Sequence, residues 1–189
     1  MHRRMHRIQW LVIALTLVCL VAAPTLRAES NSGLDRLNGR WKLDWSRSDS
    51  FAPVMDALEV PWLLKRLAGI ISVHMIIEVE YPECEGCSAR LRIVSENPIK
   101  NTTRVVVLDG VARPAVDPLG NESLDRFVWH PEHGLEMHRE RVLKSGKQAR
   151  IHERRKVGED LDTMVSTMTV WVDGEERASV RRILVRDTK

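Results

Sequence analysis

The chain has 189 residues, 43% of them apolar and 29% charged, a balance that excludes a disordered chain and predicts a domain with a sizeable core. Its formal charge of +3 originates at the N-terminus: residues 1–28 hold Arg3, Arg4, Arg7 and Arg27 and no acid, and the rest sets 25 basic against 26 acidic side chains. That remainder argues against nucleic-acid binding, which needs a basic face, and three cysteines are too few for a disulfide-built scaffold.

Residues 1–28 read as a secretory signal. His2, Arg3, Arg4, His6 and Arg7 form a basic start. The apolar run over 10–23 has 14 residues, short of the roughly 20 that span a bilayer. Small residues follow at Ala22, Ala23 and Ala28, and cleavage after Ala28 is expected. Val18 stands where a lipoprotein would need a small residue before Cys19. The expected product is one exported domain over 29–189, periplasmic or secreted.

The first strand opens at Gly39-Arg40-Trp41-Lys42-Leu43-Asp44. Phe51, Val54, Met55 and Leu58 then recur near helical spacing, and Trp62, Leu63, Leu64, Leu67 and Ile70 follow. Two short helices are predicted, over 50–58 and 61–70. Asp49 or Ser50 is placed to cap the first, and Pro61 to open the second. Everything after Ser72 reads as β. Strands are predicted near 73–81, 88–95, 102–109, 111–116, 123–130, 134–143, 148–157, 161–172 and 176–186. Turn signals such as Asp109-Gly110, His133-Gly134, Ser145-Gly146 and Asp173-Gly174 separate them. Short links make sequential strands antiparallel. The fold class is mainly β: a ten-stranded antiparallel β-barrel, or β-clam, with a helix-turn-helix lid between strands one and two. A barrel of ten strands is too wide for its side chains to fill, so a cavity is expected.

This order of parts resembles the intracellular fatty-acid-binding proteins within the wider lipocalin group. Gly39-x-Trp41-Lys42-Leu43 looks like that family's first strand. Phe51, Met55, Leu58 and Val60 match its first helix, Lys65-Arg66-Leu67-Ala68-Gly69 its second, and Ile99-Lys100-Asn101-Thr102 the turn before its fourth strand. The resemblance covers 35–186. It implies a monomeric carrier that holds a fatty acid or related lipid, with transient membrane or envelope-protein contact and no cofactor. The family's carboxylate-binding arginines match Arg154 and Arg182; Leu184 replaces the usual tyrosine. Alternation sets Arg150, His152 and Arg154 on one face of the eighth strand, and Ala178, Val180, Arg182 and Leu184 on one face of the tenth. A one-residue slip would exchange Arg154 for Arg155 and Arg182 for Arg181. Arg154 or Arg182 could instead stack on Trp41 and close the barrel floor. Phe51, Met55, Trp62, Leu67 and Ile99 are the expected apolar contacts of the ligand tail.

Cys84-Glu85-Gly86-Cys87 sits at a hairpin tip, where a small structural disulfide is the simplest reading. A redox pair normally opens a helix, and a zinc half-site would need two more ligands; His130, His133 and His138 could supply them but read as a polar turn, so no metal is expected. Asn101 and Asn121 open glycosylation sequons. No nucleophile motif, phosphate loop or His-Glu-x-x-His is present. The chain reads as a binding protein and not an enzyme. A barrel packed shut and acting as a protein-interaction module is the alternative.

Overall fold

A computed structural model describes residues 33–68, 74–96, 101–117 and 120–188. Residues 1–28, Ile70, Ile99 and the side chain of Leu67, all named above, lie outside the described residues. Ten antiparallel strands are present: β1 (Gly39–Asp44), β2 (His74–Glu80), β3 (Arg90–Glu96), β4 (Thr102–Val107), β5 (Arg113–Val116), β6 (Glu122–His130), β7 (Gly134–Val142), β8 (Gln148–Val157), β9 (Thr163–Val172) and β10 (Glu175–Arg186). Two short helices, α1 (Ala52–Ala57) and α2 (Trp62–Ala68), fall between β1 and β2. The sheet order is β4-β3-β2-β1-β10-β9-β8-β7-β6-β5, so the sheet curls into a half-barrel whose seam lies between β4 and β5.

Alternation fills the concave face. Trp41, Ile77, Leu91, Met164 and Val170 are fully buried there, with Val106, Phe127, Met137, Ile151 and Val180 nearly so. The short 3-10 turn Leu34–Leu37 buries both its leucines, and Trp41 Nε1 donates to the Leu37 carbonyl at 3.0 Å. The cation stacked on Trp41 is Arg186, its guanidinium 4.5 Å from the ring centroid; neither Arg154 nor Arg182 takes that place. Gly39 makes the stack possible. A Cβ there would stand 2.3 Å from Arg186 Nη1, and its φ of +128° suits glycine. The Gly-x-Trp spacing thus seats a guanidinium between strand ends.

The two helices differ in role. α1 buries Val54 and Met55 against β9 and β10. Ser50 Oγ accepts from Ala52 N at 3.3 Å, whereas Asp49 pins the chain to β10, accepting from Arg181 N at 2.7 Å. In α2, Trp62 and Leu63 are 66% and 55% exposed. The expected cover by Trp62 over the interior is therefore corrected: α1 supplies the buried apolar side, and the Trp62 ring is exposed, with the Arg66 guanidinium 6.0 Å from its centroid. A Lys65–Asp56 ion pair ties the helices together, and Glu59 Oε2 accepts from Ser145 N at 3.1 Å across to the β7–β8 turn.

Candidate ligand site in the half-barrel

β10 turns Ala178, Val180, Arg182 and Leu184 inward, as alternation predicts. Leu184 packs on the core beside Leu43 and Met164. Arg182 is mostly withdrawn from water, its guanidinium 4.9 Å from the Phe51 ring centroid and 6.0 Å from that of Trp45. Among the described residues it has no hydrogen-bond acceptor. Burial pulls its pKa below the usual arginine range; Glu153 opposes this and Arg155 adds to it. Met55 lies close by in sequence on the buried side of α1.

The eighth strand faces opposite to the expectation. Ala149, Ile151, Glu153, Arg155 and Val157 point inward, while Arg150, His152 and Arg154 lie on the outer face. The expected placing of Arg154, His152 and Arg150 in the cavity is therefore corrected. The reason is packing: Ala149, Ile151 and Val157 are the apolar residues of β8, and they carry their parity into the core. Arg155 is the inward arginine. It grips Glu153 with two bonds, Nε to Oε1 at 2.7 Å and Nη2 to Oε2 at 3.0 Å, and Ser166 Oγ donates to the same Oε1 at 2.7 Å. Burial would push the Glu153 carboxyl up, but Arg155 and Ser166 hold it below its ordinary value. Arg155 thus takes both oxygens of Glu153, and Arg182 is the cation left over. Buried cations are costly without an anion.

A second charged group lines the same concave face nearer the seam. Asp125 is 3% exposed. It accepts from Arg139 Nε and Nη2 at 2.8 and 2.7 Å and from Ser123 Oγ at 2.8 Å, and it pairs with Arg104. Burial raises its pKa, yet Arg139 and Arg104 outweigh burial and hold it at about 2. The Arg104 guanidinium also lies 5.0 Å from the Phe127 ring centroid. These residues border a cleft of about 640 Å³ that opens through the seam, with Val106, Val111 and Ala115 on its walls. That volume falls within the roughly 300–1,000 Å³ of ordinary small-molecule sites. No motif announced this group; the signal was Ser123, Asp125 and Phe127 sharing one parity in β6.

On the outer face, Arg154 Nε and Nη2 bond Glu136 Oε1 at 2.9 and 2.8 Å, and the rings of His138 and His152 stack with centroids 4.5 Å apart. Cys84 and Cys87 form a disulfide at the exposed β2–β3 tip. No helix among the described residues is long and apolar enough to cross a membrane.

No family model matches the chain. A probable pericyclase, scpY, of Mollisia scopiformis is 35% identical over 49 residues; the match spans 26% of this chain and about a quarter, 26%, of that protein. Solved structures match far more broadly. Lipid binding protein 8 of Caenorhabditis elegans superposes with a TM-score of 0.64 at 13% identity, over 82% of this chain and 99% of that one. A Schistosoma mansoni fatty acid binding protein in complex with arachidonic acid gives 0.59 at 19% identity, over 83% and 100%. As-p18, an extracellular fatty acid binding protein, gives 0.55 at 13%, over 81% and 97%. The ten-stranded order, the helix pair after β1 and these superpositions together establish that the chain has the fold of the fatty-acid-binding proteins.

Proposed function

We propose that the protein is an exported carrier of a fatty acid or related amphipath with an anionic head. The observation that carries this reading is Arg182: a guanidinium mostly withdrawn from water, beside two aromatic rings, with no acceptor among the described residues. A carboxylate entering there gains a charge-assisted bond and neutralises the surplus cation. Phe51 and Leu184 supply apolar surface next to it, and the seam cleft gives a route or a berth for the tail. The broad superposition on lipid-binding proteins supports the same reading. The test is uptake of a fluorescent fatty acid by the full chain, together with lipid mass spectrometry of protein purified from its native compartment. One lipid class at near-equal molar amount supports the carrier. An empty extract without uptake overturns it and favours the interaction module.

A second reading has one specific observation behind it, the 49-residue match to a probable pericyclase. A pericyclic step moves electrons around a ring of atoms without an acid or base, so a shaped pocket with well-placed cations is sufficient machinery. In this reading Arg182, Arg104 and Arg139 polarise a bound polyene. Loss of a conjugated ultraviolet chromophore from the co-purified ligand, at a rate proportional to protein, supports it. A ligand that stays chemically unchanged on the protein rules it out.

A further inference from the structure

The outer face of β6, β7 and β8 gathers a set of side chains that the carrier reading leaves unused. Glu136 stands at its centre. Its Oε1 is taken by Arg154, as described above, which turns Oε2 toward three imidazoles. The Nε2 atoms of His152, His138 and His130 lie 3.5, 3.6 and 3.9 Å from that oxygen. These distances are too long for hydrogen bonds, which fall at about 2.7–3.2 Å. His152 Nε2 is buried and has no hydrogen-bond partner among the described residues. A buried ring nitrogen without a partner calls for an explanation.

The spacing supplies one. An ion held at about 2.0–2.1 Å by tetrahedral ligands keeps those ligands about 3.3 Å apart. The Glu136–His152 and Glu136–His138 separations are already near that edge length, and the ligand atoms of Glu136, His138 and His152 all lie within 4.8 Å of one another. Small ring rotations close the remainder. We propose that Glu136, His138 and His152 form a site for a divalent transition-metal ion, with His130 or a water as fourth ligand. The donor set selects the metal. Imidazole nitrogens with one carboxylate suit Zn²⁺ or Cu²⁺, whereas Mg²⁺ and Ca²⁺ seek all-oxygen shells. Arg154 acts as a positioning residue: by occupying Oε1 it orients the carboxylate, as partners of metal ligands commonly do.

The site bridges neighbouring strands through side chains alone and lies on the opposite face of the sheet from Arg182. Metal binding and lipid binding are therefore separable by experiment. The full chain, stripped with a chelator, is titrated with Zn²⁺ by calorimetry, with Mg²⁺ as the control. One equivalent of Zn²⁺ and no Mg²⁺ are expected. His152→Gln should weaken Zn²⁺ at least about tenfold, in line with losses seen on disturbing such sites, while fluorescent fatty-acid uptake stays at the parent level. In the parent protein, histidine-ring NMR provides a check that needs no variant: Zn²⁺ should shift the His138 and His152 resonances at one equivalent. The absence of bound Zn²⁺, or equal affinity in the parent, His152→Gln and Glu136→Gln, overturns the proposal.

Discussion

Replacing Arg182 with methionine separates a binding role from a structural one. The guanidinium makes no hydrogen bond to any described residue, so its removal leaves no acceptor orphaned. What is lost is its stacking on Phe51 and Trp45, worth about 0.5–2 kcal/mol. What is gained is relief from holding a cation away from water, and methionine restores a contact with the rings. The two nearly cancel, so stability should stay within about 1 kcal/mol of the parent. Binding should not. A hydrogen bond between charged groups contributes about 1.5–3 kcal/mol, so fatty-acid affinity should fall about 10- to 150-fold. Urea unfolding and fluorescent-ligand titration on the same preparation read both quantities. A variant that loses several kcal/mol of stability yet binds fatty acid normally would refute the argument, because Arg182 would then be a structural cation.

Arg155→Met should behave in the opposite way: it strips the buried Glu153 of its two-bond ion pair and leaves the Ser166 hydroxyl as its bonded donor, and a loss of about 3–5 kcal/mol should appear in the same urea titration. Asp125 titrates at about 2 in the fold against 3.8 for an ordinary aspartate. Its lowered value adds about 2 kcal/mol, fully present above about pH 5 and lost as pH falls through 3.8 toward 2. Asp125→Asn should flatten that part of the acid-unfolding curve, and an unchanged curve would show that other carboxylates govern it. Reducing Cys84–Cys87 opens a loop of sequence separation 3; stability should fall by no more than about 2 kcal/mol, with circular dichroism intact. Gly134→Ala places a Cβ 2.2 Å from the Arg155 carbonyl oxygen at a φ of +89°. A loss of at least about 2 kcal/mol in thermal unfolding is expected.

The strand number, the antiparallel order and the place of the helix pair were all legible, because turn dipeptides and period-two apolar runs mark them residue by residue. β10 was also legible: Ala178, Val180 and Leu184 share parity with Arg182, and the structure turns all four inward. β8 was misread because it carries charge on both faces. The family resemblance selected Arg154, while the parity of Ala149, Ile151 and Val157 points to Arg155. The apolar parity was the stronger physical signal, since a slip would expose three core residues. Trp62 was expected to cover the interior, but its ring is 66% exposed, because the buried apolar side of the helix pair is carried by Val54 and Met55 of α1. The partner of Trp41 could not be read at all, because it depends on the β1–β10 register, which pairs Trp41 with Arg186.

That register also shapes how the chain folds. Of the nine strand pairings among the described residues, eight join neighbours in sequence and one, β1 with β10, ties the two ends, with contacts such as Arg40–Asp187 spanning 147 residues. Closing such a span costs about 3 kcal/mol more chain entropy than closing a four-residue hairpin. The hairpins on either side of the seam can form early and independently, while the β1–β10 clasp waits for both halves. Gly39, Trp41 and Arg186 therefore sit at the step that joins two preformed wings. Damage there should slow closure more than damage of equal size within either wing.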